Sequence, residues 1–455
     1  MNDTTAAVSA GPHGNPCYSS PLSSHPLLGH LPAFRKDPLA FLGSCLQTGA
    51  DVVPLRLPLV SAFLLLNPDD IERVLVTEHR QFLKPLWLRT PAVRRLLGRG
   101  LVTSDGDSWR AQRRACQPAF HPSLLPGYGH TVSTLTGQML DGWTAKEPRG
   151  VLQDMTRLTV EIVGQTLLGV NLGPVSGEIS AIMATLMECF NARGFGLLPL
   201  PPALRELRAI RRLDRLVDTL IAEGLAAGTN GKQTLLTRLH AEPGGTTGTH
   251  GLREQVKTFL AAGHDSSSLT LTWAFLMLAT HPEAADRLAA ELASVLKGRA
   301  PTPEDVPHLP CTQAVIKETL RLYPPLWMMG RQAVQPCKIG GVAIPEGALI
   351  LTSPWPVQRL ARFFPDPERF KPERWEGNKT ASLPRCAFFP FGGGPRVCIG
   401  QGFALLEATL ILATVAQRFR LETVEQPDIR PWITMTLRPP ADLRMRLTLR
   451  DFREG

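Results

Sequence analysis

Apolar positions change their spacing twice along the chain, from short strand-like runs, through a long helical middle, to a mixed end. Residues 52–57 and 62–66 are apolar runs around Pro58 and read as a strand pair. From Pro91 onward helical spacing dominates. One long apolar segment, 252–280, stops at His281-Pro282, because the residue before a proline is pushed out of helical geometry. A helix follows as far as Leu296, and another covers 313–322 before Pro324-Pro325 closes it. Over 337–353, Gly340-Gly341, Pro345 and alternating Val and Ile predict the strands of a small sheet. Residues 364–375 form a proline-punctuated meander, 402–419 an amphipathic helix, and the tail alternates like a strand. No linker, repeat or compositional break divides this pattern. The expected fold is mainly α with minor β-sheet: a flexible leader over 1–25, then one large domain over 26–455.

Composition narrows the function classes. Of the 455 residues 43% are hydrophobic and 20% charged, a globular balance that excludes a mostly disordered chain. The 41 prolines form no periodic tract and instead stiffen many connections. Lys+Arg 49 against Asp+Glu 40 leaves a net charge of +9, which favours acidic partners. The basic residues are dispersed, with no aromatic-interleaved stripe, so an acidic protein or a membrane surface is expected rather than nucleic acid. Cysteines stand at 17, 45, 116, 189, 311, 337, 386 and 398. They form no Cys-x-x-Cys pair, and no His-Glu-x-x-His accompanies them, so zinc and iron–sulfur sites lack support. The polar start lacks a signal-peptide pattern, and the apolar stretch 52–66 is broken by Pro54, Arg56 and Pro58. A bilayer-spanning helix needs about 20 apolar residues. A cytoplasmic protein with reduced thiols is therefore expected.

The sharpest chemical signal is Phe391-Gly392-Gly393-Gly394-Pro395-Arg396-Val397-Cys398-Ile399-Gly400, just ahead of the last long helix. Glycines allow a tight loop whose N–H groups turn toward a sulfur, and the following helix presents its positive end to a thiolate. The bland alternative is a glycine-rich turn holding one ordinary buried cysteine. The positions of Phe391, Gly394, Arg396, Cys398 and Gly400 resemble the haem-binding signature of the cytochromes P-450. The resemblance implies haem b (iron protoporphyrin IX), with Cys398 as the axial thiolate and metal ligand, Phe391 beside it and Arg396 on a haem propionate. Such a thiolate pushes electron density onto iron and favours O–O cleavage.

Four further segments resemble the same family, in its order. Glu318 and Arg321 share a helix face at i, i+3 spacing, which alone suggests a surface ion pair. With Pro372-Glu373-Arg374-Trp375 downstream, the resemblance makes Glu318, Arg321 and Arg374 a structural cluster. Ala262-Gly263-His264-Asp265-Ser266-Ser267 is similar to the family's oxygen-activating segment. It implies that Gly263 lets the helix pass close over the haem and that Asp265 and Ser266 are catalytic, relaying protons to dioxygen. Most members carry Thr where this chain has Ser266, so the hydroxyl is kept without the methyl that fixes its rotamer; Ser267 is a candidate to share the task. Trp109 and Arg113, at i, i+4, resemble the pair that clamps a propionate, and Arg331 is the third such contact.

The resemblance also implies a distal cavity lined by Trp87, Leu88, Trp327, Met328, Met329, Ile433 and Met435, apolar enough for a lipophilic substrate. Gly194 to Pro202 stands where the family has its access lid, and Arg205, Arg208, Arg211, Arg212 and Arg215 follow. An apolar tip with a basic flank suits peripheral contact with an anionic membrane; a solvated arginine face is the plain alternative. Gln358-Arg359-Leu360 and Thr436-Leu437-Arg438-Pro439 are similar to segments of bacterial hydroxylases of carotenoid ionone rings, which makes a carotenoid ring carbon the expected target. Fatty acids, terpenes and polyketides stay open. No Gly-x-Gly-x-x-Gly fingerprint is present, so electrons are expected from a ferredoxin and its NAD(P)H-dependent reductase. Arg110, Arg114, Arg359, Arg362 and Arg385 are candidates for the docking face of a monomeric enzyme. The rival functions are a peroxide-driven peroxygenase and a non-catalytic carrier of a haem ligand.

Overall fold

The computed structural model describes residues 8–10, 16–18, 22–192, 203–228, 234–241 and 249–450, apart from 59, 146, 378, 426–428 and 441. Two compact units share the chain. The first comprises Met1–Leu86, Leu326–Glu368 and Ser382–Cys398; the second comprises Trp87–Pro325, Arg369–Ala381 and Ile399–Gly455.

The first unit is built on a sheet. Inside the expected leader, β1 (Val8–Ala10) pairs antiparallel with β2 (Pro16–Tyr18). The strand pair expected around Pro58 is β3 (Val52–Leu57) and β4 (Val60–Leu65). Distant strands complete it: β9 (Leu349–Thr352) runs parallel to β4, β6 (Met329–Ala333) antiparallel to β9, and β5 (Phe82–Leu83) antiparallel to β6. The order is β3-β4-β9-β6-β5, so β3 is an edge strand and tolerates Pro54. Interior β4 is apolar from Ala62 on, with Ala62 to Leu66 at most 2% exposed. β7 (Cys337–Ile339) and β8 (Val342–Ile344) form a separate hairpin, turned by Gly340 and Gly341 at φ +52° and +81°. Helices α1 (Leu31–Lys36), α2 (Pro38–Gln47), α3 (Pro68–Glu72) and α14 (Pro354–Val357) belong to this unit.

The second unit is helical. It holds α4 (Pro91–Leu97), α5 (Gly106–Cys116), α6 (Leu125–Asp141), α7 (Val151–Val163), α8 (Ser176–Ala192), α9 (Leu204–Gly228) and α10 (Leu235–Ala241), followed by α11 (Thr249–Thr280), α12 (Pro282–Leu296), α13 (Pro310–Leu322) and α15 (Gln401–Arg418). Proline sets several boundaries: α11 ends before His281-Pro282, and α12 and α13 each take a proline at their first position. Central α11 packs against α7, α9, α13 and α15. At its buried end Trp273 stacks on Tyr323, ring centroids 3.8 Å apart, and donates its indole N–H to Leu437 O at 3.2 Å. That bond fixes the hairpin of β11 (Trp432–Ile433) and β12 (Leu437–Arg438) against α11. β10 (Phe419–Thr423) and β13 (Met445–Leu449) make the last strand pair. The mainly α fold with minor sheet is as expected. One detail differs: α15 is not amphipathic, since every residue from 407 to 417 is buried. Neighbours cover it on all sides, so its apolar residues need no single stripe. Among the described residues no helix is long and apolar enough to cross a membrane.

Candidate functional site

In the first unit the cysteine loop is held by backbone geometry. Gln358, fully buried, accepts the Phe389 N–H on its side-chain oxygen at 3.0 Å and so anchors the root of the loop. Gly392 adopts φ +76° and Gly394 φ +66°. A Cβ on Gly394 would fall 2.0 Å from Leu75 O, so the loop tolerates no side chain there. The Cys398 N–H then donates to Phe391 O at 2.9 Å, closing the turn. Phe391 and Arg396 are half-buried, and Cys398 is exposed. Cys45, Cys116, Cys189 and Cys386 are buried and Cys311 and Cys337 half-buried, and burial pushes the Cys45 and Cys386 thiols up to about 12. The exposed sulfur of Cys398, on a rigid loop just ahead of the first turn of α15, fits an axial thiolate.

Other first-unit candidates divide. Met329 lies against the same loop, its sulfur 3.4 Å from where a Gly392 Cβ would be, and Met328 is half-buried. Arg331, half-buried on β6, donates to Gly330 O at 2.8 Å. Trp327 departs from the expected pocket lining. It is 3% exposed and stacks on Phe34, so it is core rather than cavity wall. Arg359 likewise leaves the expected docking face. It is 7% exposed, lies 3.4 Å over the Trp355 ring and pairs with Glu368. Arg362 pairs with Asp51 and Arg385 with Glu72 at the surface.

In the second unit the segment Ala262–Ser267 interrupts the buried surface of α11. Ala262 is exposed and Gly263 and Ser266 are half-buried, whereas 264, 265 and 267–278 are buried. Ser266 Oγ turns back to Ala262 O at 2.9 Å, and Ser268 Oγ to Asp265 O at 3.0 Å, bonds that compete with the helix ladder. Asp265 points elsewhere: Oδ2 accepts from Thr436 Oγ at 2.9 Å and Oδ1 from Arg438 Nη1 at 2.8 Å. A cavity of about 40 Å³ adjoins this pair, lined by residues that include His264, Ser180 and Met183. His264 donates its Nδ1–H to Leu260 O, and burial pulls its pKa below the usual histidine value, which keeps it neutral. A Cβ on Gly263 would lie 3.1 Å from Val163 Cγ2, so this glycine permits close packing of α11 on α7.

The three residues expected to form a structural cluster do meet. Glu318 and Arg321 are 0% exposed. The Glu318 carboxylate accepts Arg321 Nε and Nη2 at 2.9 and 2.8 Å, Arg374 Nε at 3.2 Å and the Lys371 N–H at 2.9 Å. Trp375 Nε1 adds a fifth donor at 2.9 Å. Sequence reasoning missed Trp375, although it stands next to Arg374. Missed too were Thr436 and Arg438 as partners of Asp265, and Glu407 of α15, whose Oε2 accepts Ser267 Oγ at 2.5 Å.

Trp109 and Arg113 stand half-buried on α5, as their spacing requires. Trp87, Leu88 and Met435 pack against the apolar core of this unit, and Ile433 is half-buried. Arg110 pairs with Asp107, and Arg114 is exposed. On α9, Arg205 and Arg212 pair with Glu188 and Glu178 of α8, leaving Arg208, Arg211 and Arg215 exposed. The expected lid, 194–202, lies outside the described residues.

Comparison with known proteins agrees with this geometry. The family described as Cytochrome P450 matches residues 19–445. Cyclooctat-9-en-7-ol 5-monooxygenase of Streptomyces melanosporofaciens is 36% identical over 92% of this chain and 93% of its own. Cyclooctatin synthase of the same organism is 34% identical over 90% and 92%. Pentalenene oxygenase of Streptomyces avermitilis is 35% identical over 93% and 96%. The chain belongs to the cytochrome P450 family. It is a monooxygenase, an oxidoreductase of a family whose cofactor is haem b.

Proposed function

We propose that this enzyme inserts one oxygen atom into a lipophilic, terpene-like substrate. It would use electrons passed from a separate ferredoxin and an NAD(P)H-dependent reductase, with residues 26–455 acting as one cytoplasmic, monomeric haem domain. Haem b, when bound, supplies the iron at which dioxygen is activated, one oxygen atom going to the substrate and the other leaving as water. Cys398 would hold that iron from its glycine-cradled loop, while Arg396, Arg331, Trp109 and Arg113 would neutralise or bond the propionates and Phe391 would shield the sulfur. Asp265 and Ser266 hold protons for the oxygen chemistry. Ser266 Oγ needs only to rotate from Ala262 O, whereas the Asp265 carboxylate must first leave Arg438 and Thr436. Met328, Met329, Trp87, Leu88, Ile433 and Met435 supply an apolar lining without a charge partner. The exposed arginines of α9 suit substrate uptake from an anionic bilayer surface.

The accessible Cys398 thiol in its rigid loop carries the reading. For the substrate, two relatives whose names specify cyclooctat-9-en-7-ol and pentalenene favour terpene-like molecules. The carotenoid alternative rested on Gln358-Arg359-Leu360 and on Thr436 to Pro439. Gln358 anchors the cysteine loop, Arg359 stacks on Trp355, and Thr436 and Arg438 hold Asp265, so these residues have internal partners. The deciding experiment titrates cyclic terpenes and carotenoids into the ferric enzyme, following the spin-state change. Products formed with a surrogate ferredoxin system are then identified. Oxygenated terpenes support the proposal; turnover confined to carotenoids, or driven only by added peroxide, refutes it.

A further inference from the structure

Glu407 is a buried acid that packing does not explain. It lies in the run of α15 where every residue from 407 to 417 is buried, and its own exposure is 0%. One carboxyl oxygen accepts the Ser267 hydroxyl at 2.5 Å; the other has no hydrogen-bond partner among the described residues. A leucine would fill a similar volume without the cost of burying a polar group left half-bonded. Burial pushes this carboxyl up to about 8 and the Ser267 hydroxyl pulls it back; no charged side chain of any packed element contributes. At neutral pH it is therefore mostly protonated, able to remain in an apolar core as a neutral group.

Its one partner sits at a sensitive place. Asp265, two residues earlier on α11, is gripped by Thr436 and Arg438 from the β11–β12 hairpin. His264 O receives a share of the Thr159 hydroxyl from α7, at 3.1 Å against 2.9 Å to Met155 O. Ser267 is gripped by Glu407 from α15. Elements on three sides thus hold residues 264, 265 and 267, while Ser266 bonds only within its own helix and stays half-buried. Successive residues of a helix point about 100° apart, so fixing the flanking side chains fixes the direction in which Ser266 faces.

We propose that Glu407 is a positioning residue. Its bond to Ser267 sets the rotation of α11, so that the Ser266 hydroxyl faces the reacting oxygen and protons arrive in step with electrons. The inference rests on the reading above, in which Ser266 takes part in proton delivery. Without the tie α11 can turn at this point, and electrons drain to hydrogen peroxide while the haem stays in place.

The test uses haem-loaded enzyme with a surrogate ferredoxin system and measures how NAD(P)H electrons divide between product and hydrogen peroxide. Glu407→Leu and Ser267→Ala, which remove the tie from opposite ends, should each raise the peroxide-to-product ratio by roughly threefold or more. The double variant should be no worse than either single one, as expected for one shared interaction. Glu407→Gln, which keeps an acceptor for Ser267, should return the ratio to that of the wild type. A readout independent of turnover is the infrared carbonyl band of a protonated carboxylic acid. It should be present near neutral pH, fade as pH rises through about 8, and vanish in Glu407→Gln. Wild-type partition in Ser267→Ala, or absence of that band, overturns the inference. Ser266→Ala separates the two layers. If it uncouples the enzyme while Ser267→Ala does not, only the role of Glu407 falls; if Ser266→Ala changes nothing, proton delivery through Ser266 falls and takes this inference with it.

Discussion

Glu318 and Glu407 are both 0% exposed and both belong to the helical unit, yet their surroundings have little in common. Glu318 receives five N–H groups, from Arg321 (two), Lys371, Arg374 and Trp375. Glu407 receives one hydroxyl, and burial lifts its pKa to about 8. The contrast separates two uses of a buried acid. A carboxylate saturated by two guanidinium groups welds α13 to the segment over 369–375 and cannot be varied without leaving charge unpaired. An acid with one donor survives burial by staying neutral, and is free to act as a light, adjustable tie between α11 and α15.

Three substitutions sharpen or break that contrast, and the largest effect comes first. Glu318→Ala leaves Arg321 buried and uncompensated, and should cost about 3–5 kcal/mol of stability in denaturant unfolding. A loss under about 1 kcal/mol would mean that the cluster is not the weld its geometry suggests. Trp375→Phe removes one donor of the five and keeps an aromatic ring, so it should cost about 1 kcal/mol. A loss as large as that of Glu318→Ala would show that the donors act as one unit. Glu407→Gln should be the mildest near pH 4.5, within about 1 kcal/mol, because there it replaces an acid that is neutral in the fold and largely so in the unfolded chain by a neutral amide.

The last variant also carries a sign. The folded-state pKa of Glu407 is raised to about 8 from an ordinary 4.5. Between those values the folded protein keeps a proton that the unfolded chain gives up, so this group's contribution to stability falls as pH rises from about 4.5 to about 8, then levels off. Relative to wild type, Glu407→Gln should therefore gain stability across that window. Unfolding measured at several pH values checks it; parallel curves would contradict the assignment.

Much of this was legible in the sequence where local chemistry decides. Pro58, Pro282 and Pro324-Pro325 mark boundaries because proline restricts its own backbone and that of its predecessor. The glycines around Cys398 announce a loop that the positive φ at 392 and 394 demands. What stayed hidden depends on partners distant in the chain. Asp265 stands 171 residues from Thr436 and 173 from Arg438, and Ser267 stands 140 from Glu407. Nothing in the local pattern announces those contacts. Arg359 read as a surface cation because arginines usually are; stacking on Trp355 buries it. Trp327 read as pocket lining because an apolar stripe does not reveal whether it faces a cavity or Phe34.

The account stands on the sulfur of residue 398. Reduced protein under carbon monoxide should show the red-shifted Soret band of thiolate-bound haem, and Cys398→Ala, still taking up haem, should lose it. A wild-type spectrum without that band, or a Cys398→Ala spectrum that retains it, would contradict the assignment of the iron ligand and everything built upon it.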